Sequence, residues 1–236
     1  MRPLLLAALL VSSACGGSGE ARPLEVFAAS SLRDTFVELE GPRYSFAGSD
    51  DLALQIAEGA EADVFAAASP KAPEGLYEDG LVERPRTFAT NRLVLIVPRE
   101  NEAGIQGLAD LRQPGVRLVL GDEGVPIGDY TRDALSRAGA EDVLENTVSF
   151  EDDVKGVVSK VALDEADAGF VYATDAKAAA DDVSVIELSA AIQPEVRYTV
   201  AVVAGSDRQD EAKAFVERLL SREGRAALRE AGFGLP

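Results

Sequence analysis

The stretch Val26-Phe27-Ala28-Ala29-Ser30-Ser31-Leu32 constrains this chain more than any other. An apolar run ends in small residues, two hydroxyls follow, and an amphipathic segment begins. A buried strand running straight into a helix is the building unit of α/β sheets. A second such junction follows at Phe46-Ala47-Gly48-Ser49-Asp50-Asp51-Leu52. The first turn of a helix carries backbone N–H groups with no intrahelical partner, together with the positive end of the helix dipole. A serine there has two readings. It can cap the helix, as the capping-box-like pair Ser31 and Asp34 suggests. It can instead aim its hydroxyl at a bound anion. Two such ends facing one cleft would hold a small oxyanion without any charged side chain.

Composition removes several competing classes. The chain has 236 residues, enough for one large domain or two small ones. Forty-one Asp and Glu against 23 Lys and Arg give a formal net charge of -18. Such a balance argues against nucleic acid or an anionic membrane surface as a partner. It also repels small anions at long range, so an anion site must rely on short-range donors. There is no histidine, and there is one cysteine. That excludes Ser-His-Asp and Cys-His catalysis, His-based zinc or copper sites and Cys-rich clusters. Carboxylate sites for hard cations stay open.

Residues 1–14 read as a signal peptide. Met1-Arg2-Pro3 gives a positive start, and Leu4 to Val11 is too short for a membrane span, which needs ~20 residues. Small residues then precede Cys15. The segment resembles a bacterial lipoprotein signal, in which that cysteine carries the lipid and becomes the mature N-terminus. It departs from the pattern in having Ser12 where such signals usually have Leu. Residues 15–23 would then be the lipidated cysteine and a polar tether.

Along the rest of the chain, the expected elements alternate. Strand 24–28, helix 31–39, strand 44–46, helix 50–58 and strand 63–67 read βαβαβ, which implies a parallel sheet flanked by helices. Strands follow at 93–97, 117–120, 148–150, 169–172 and 198–204. Helices are expected from about Asp129 to Arg137, from Asp152, from Asp175, and as one tail helix from about 208 to 231. Two halves of this kind suggest two α/β lobes with a cleft between them. In open α/β sheets ligands sit beyond the carboxyl ends of the strands, where helix N-termini point. The chain offers four such ends, after Ser31, after Ser49, after Pro126 and around Asp152-Asp153-Val154. That pattern suits an oxyanion receptor.

The same places carry a resemblance to a known family. Phe27-Ala28-Ala29-Ser30-Ser31-Leu32, Phe46-Ala47-Gly48-Ser49, Glu58-Gly59-Ala60-Glu61-Ala62-Asp63-Val64-Phe65, Asn91-Arg92-Leu93-Val94 and Gly121-Asp122 with Val125-Pro126, Gly128 and Tyr130 follow one another in order. Glu151-Asp152-Asp153-Val154, Gly169-Phe170-Val171-Tyr172, Tyr198-Thr199-Val200-Ala201 and Gly232-Phe233 complete the series. Each motif is short, but the ordered spacing resembles the periplasmic molybdate-binding proteins of bacterial ABC transporters over residues 24–236.

The resemblance implies a type II periplasmic-binding fold with two α/β lobes and a ligand cleft. Lobe 1 would comprise 24–88 plus 200–236, and lobe 2 would comprise 89–199. It implies capture of molybdate, and tungstate with it, for an ABC permease, with no reaction catalysed and no cofactor. The hydroxyl donors would be Ser31, Ser49 and Tyr172, and the backbone donors Ser31, Ser49, Ile127 and Val154, with no direct cation ligand. The chain would work as a monomer outside the cytoplasm, anchored through a lipid on Cys15, with no nucleic-acid partner. Asp50 and Asp51 stand where the family often has small hydroxylated residues, and both are expected to face solvent. Ile127 replaces a smaller residue. A receptor for another tetrahedral oxyanion, such as sulfate or phosphate, is the neighbouring reading. A Ser-Lys enzyme is disfavoured because no lysine lies near Ser31 and no Gly-x-Ser-x-Gly motif occurs. A carboxylate-based cation carrier is the third reading.

Overall fold

Alternation along the first strand sets the architecture. In the computed structural model, which describes residues 22–236, β1 (Glu25–Ala29) sends Val26 and Ala28 into one apolar cluster and Phe27 into another. Side chains on a strand alternate between faces, so a strand with both faces buried belongs inside a sheet covered on each side. The elements that follow are α1 (Arg33–Phe36), β2 (Arg43–Ala47), α2 (Ser49–Ala57), β3 (Val64–Ala67), α3 (Lys71–Glu78) and β4 (Arg86–Asn91). Then come β5 (Leu93–Pro98), β6 (Leu118–Gly121), α4 (Pro126–Ala138), β7 (Thr147–Glu151), α5 (Val154–Ala162), β8 (Ala168–Tyr172), α6 (Ala173–Ala178) and β9 (Val183–Glu187). The chain closes with β10 (Val196–Val202), α7 (Gln209–Leu220) and α8 (Arg222–Ala231).

The described residues form two five-stranded mixed sheets. The first has the order β2-β1-β3-β10-β4, with β1 parallel to β2 and β3, and β10 antiparallel to β3 and β4. The second has the order β7-β6-β8-β5-β9, with β6 parallel to β7 and β8, and β5 antiparallel to β8 and β9. The chain passes from the first sheet to the second at Arg92 and returns between Glu187 and Val196. This is a two-lobe α/β architecture. Residues 89–91 and 196–199, expected in the second lobe, pair within the first sheet, because β4 and β10 are one antiparallel ladder.

Several local expectations shift. The helix expected over 31–39 is shorter: a 3-10 turn at Ser30–Leu32 passes into the four-residue α1. The tail is two helices, because Ser221 leaves the helical conformation and its Oγ accepts from the Gly224 N–H at 3.1 Å. Helix α4 begins at Pro126 rather than near Asp129, which uses proline where its missing N–H costs nothing. The strands β4 and β9 and the helix α3 have no counterpart in the sequence reading. Strand β4 is interrupted by polar residues and β9 alternates with exposed ones, so neither shows an apolar run. Among the described residues no helix is long and apolar enough to cross a membrane. Cys15 and the expected signal segment lie outside the described residues.

Candidate functional site

Six strand-to-helix junctions, three from each sheet, converge on one small cavity. Ser31 lies in the 3-10 turn after β1, and Ser49 is the first residue of α2. Ile127 is the second residue of α4, and Val154 is the first of α5. Tyr172 ends β8. All five line the cavity, and none is more than 5% exposed. Ser49, Ile127 and Val154 stand in first helical turns, where N–H groups have no intrahelical acceptor. Their donors are therefore available to a ligand in the cavity.

The two serines are not caps. The residues that precede the helices are Ala29 and Gly48, and neither helix start has a side-chain capping bond. Each serine oxygen instead accepts from the protein. The Tyr198 hydroxyl donates to Ser31 Oγ at 3.0 Å, and the Ala68 N–H donates to Ser49 Oγ at 3.1 Å. A hydroxyl that already accepts has its own hydrogen left to give. The Tyr172 hydroxyl is buried without a protein partner. Burial, reinforced by the nearby Tyr198 and Tyr130, pushes its pKa well above the ordinary tyrosine value, so it stays protonated and can donate.

The electrostatics are those of a neutral donor shell. No lysine or arginine lines the cavity. Its one carboxylate, Asp153, is the N-cap of α5 and accepts from the Gly156 N–H at 3.0 Å. The Asp50 carboxylate does not face solvent as expected. Asp51 is exposed, but Asp50 Oδ1 is buried without a partner, and burial raises its pKa, with Asp51 and Asp152 adding repulsion. The Ile127 side chain is turned toward Gly121, where its Cγ2 would lie 2.5 Å from any added Cβ.

Contacts across the cleft hold the lobes together. Lys71 on α3 meets Asp129 on α4 at 2.8 Å, and Lys155 on α5 meets Asp34 on α1 at 2.7 Å. Lys155 also lies 2.9 Å from the buried Asp175, although neither Asp175 oxygen gains a hydrogen bond of good geometry. Asn91, at the crossing between the sheets, donates through Nδ2 to Thr174 Oγ1 at 2.9 Å.

A family model described as bacterial extracellular solute-binding protein matches residues 24–234. The chain belongs to this family. As a bacterial extracellular solute-binding protein, it is a binder working outside the cytoplasm rather than an enzyme. It is 34% identical over 236 residues to the molybdate-binding protein ModA of Mycobacterium tuberculosis, covering 95% of this chain and 89% of that one. It is 31% identical over 243 residues to the ModA of Haemophilus influenzae, covering 96% and 95%. Among solved structures, the periplasmic molybdate-binding protein of Azotobacter vinelandii shares the fold with a TM-score of 0.80 at 24% identity, covering 90% of this chain and 99% of that one.

Three residues in or behind the cavity wall of this solute-binding protein, of which Ala68 alone lines the cavity, were given no site role by sequence reasoning. Ala68 follows β3 as Ala29 follows β1, and that repeated position was the available signal. Tyr198 is a polar-tipped residue inside an otherwise apolar strand. Asn91 gives no sequence signal for its role.

Proposed function

We propose that this protein captures molybdate, and tungstate with it, outside the cytoplasm and delivers it to an ABC permease. The observation that carries the reading is the small inter-lobe cavity furnished by neutral donors alone, in a chain whose relatives at 31–34% identity are named molybdate-binding proteins. In this reading Ser31, Ser49 and Tyr172 donate through hydroxyls. Ser31, Ser49, Ile127 and Val154 donate through N–H groups. A dianion bound by neutral donors keeps its charge dispersed over several hydrogen bonds, each worth about 1.5–3 kcal/mol to a charged acceptor.

Cavity size gives selectivity over sulfate. Fixed donors cannot contract onto the smaller sulfate tetrahedron without lengthening their hydrogen bonds. Lobe 1 then comprises residues 24–91 plus 196–236, and lobe 2 comprises 92–195. The chain acts as a monomer without nucleic acid, in keeping with its net charge of -18. A lipid on Cys15, with 1–14 removed, anchors it, and intact mass of the native membrane fraction reads that directly.

Calorimetric titration with molybdate, tungstate, sulfate and phosphate tests the ligand. Stoichiometric heat for the first two and none for the others is expected. At 100 times the dissociation constant, ligand should add about 2.7 kcal/mol to stability. Tight binding of sulfate or phosphate with weak binding of molybdate would replace this reading with that of another oxyanion receptor.

A further inference from the structure

We propose that Tyr198 is a positioning residue that fixes Ser31 as a donor to the bound oxyanion, through a directed chain of hydrogen bonds that starts at Asn91. The inference rests on the oxyanion reading above and deepens it. Tyr198 does not line the cavity, and it lies fully buried on β10 behind Ser31. Its hydroxyl oxygen receives the Asn91 Nδ2–H at 3.5 Å, and its hydrogen goes to Ser31 Oγ at 3.0 Å.

The polarity of this chain follows from its first member. An amide nitrogen can only donate. Asn91 Oδ1 is already engaged by the Arg92 N–H at 2.9 Å, which orients the side chain so that Nδ2 faces Tyr198 and Thr174. Tyr198 therefore accepts from Asn91 and has its hydrogen free for Ser31. Ser31 accepts in turn, and its own hydrogen is left pointing toward the cavity that it lines. Without Tyr198, the Ser31 hydroxyl would be free to rotate toward other acceptors, and some of its donor strength toward the anion would be lost in re-ordering it. Ser49 reaches the same state by a shorter route, through the Ala68 N–H. Asn91 sits where the chain crosses between the sheets and also binds Thr174 of the second lobe, so the chain joins the hinge to the ligand.

The test is a double-mutant cycle read by titration with molybdate. Tyr198→Phe keeps the ring, which packs against Tyr172, Phe88 and Phe233. It should weaken binding about tenfold. In the Ser31→Ala background the same change should have no effect, because the group through which Tyr198 acts is gone. Melting of the ligand-free chains checks folding. A merely structural role for Tyr198 would weaken binding equally in both backgrounds, and that additivity overturns the inference while leaving the oxyanion reading intact. Unchanged affinity in Tyr198→Phe overturns it as well. A wild-type chain that takes up none of molybdate, tungstate, sulfate or phosphate overturns the oxyanion reading, and this inference with it.

Discussion

Gly48 and Asp152 meet across the cleft so closely that a Cβ on Gly48 would lie 2.5 Å from the Asp152 carbonyl oxygen. Gly48 belongs to the first sheet's second junction and Asp152 to the segment leading into α5, so the contact joins the lobes. The backbone at Gly48 has φ -56° and ψ 144°, which any residue adopts. The requirement for glycine is therefore one of space between lobes, not of backbone strain.

Gly48→Ala should hold the lobes apart without unfolding either. The added methyl also approaches Asp50 Oδ1, but that side chain can move, whereas the Asp152 carbonyl moves only with its lobe. Molybdate affinity should fall at least tenfold, while melting of the ligand-free chain changes little. Small-angle scattering should show that ligand no longer compacts the variant. Wild-type affinity in Gly48→Ala would mean that binding does not need this approach.

The hydroxyl donors can be separated by what each one does in the empty protein. Tyr172→Phe deletes a buried hydroxyl that has no protein partner, so the ligand-free chain should lose no stability. Binding should weaken tenfold to a hundredfold, the value of a neutral donor to a charged acceptor. Ser49→Ala should weaken binding similarly and also cost about 1–3 kcal/mol of stability, because the Ala68 N–H loses its acceptor. Titration and thermal melting of the two variants distinguish these outcomes. Lost stability with full affinity in Ser49→Ala would leave Ser49 with a structural role alone.

Most of this arrangement was legible in the sequence, and the parts that were not have physical reasons. The strand-to-helix junctions at Ser31 and Ser49 stand out because a buried strand must be apolar and the residue after it need not be. Ile127, Val154 and Tyr172 came from the ordered family resemblance, since a backbone donor leaves no trace in side-chain chemistry. The partners of the serines were hidden, because Tyr198 and Ala68 reach them through strand pairings distant in sequence. Asp50 was misplaced for a related reason. Helix position puts its carboxylate at an N-terminus, but only the opposing lobe, with Asp152, decides that it is half-buried.

Asp175 should make stability depend on pH in a direction opposite to that of an ordinary paired carboxylate. It is fully buried in α6, and burial raises its pKa to about 6 against the pull of Lys155, with Asp34 and Asp153 adding repulsion. The folded-state value lies above the unfolded one. Between roughly pH 4 and pH 6 the folded chain therefore holds the extra proton, and stability falls as pH rises through that window. Two pKa units correspond to about 3 kcal/mol. Asp175→Asn removes this slope, so its melting temperature should gain on the wild type as pH rises from 4 to 6.5. A difference between the two that does not vary with pH would mean that Asp175 does not titrate there.

Ile127 allows side chain and backbone to be tested apart. Its side chain is buried, so Ile127→Ala should cost about 2–5 kcal/mol of stability. The N–H remains, and molybdate affinity in the folded variant should stay within a few-fold of wild type. Ile127→Pro removes the N–H at the second position of α4, where no intrahelical bond is lost. The ring also biases Pro126 away from helical geometry, so circular dichroism must first show an intact fold. Affinity should then fall tenfold or more, because one charge-assisted hydrogen bond is gone. If a folded Ile127→Ala loses binding while Ile127→Pro keeps it, the contact at this position runs through the side chain and the backbone-donor assignment is wrong.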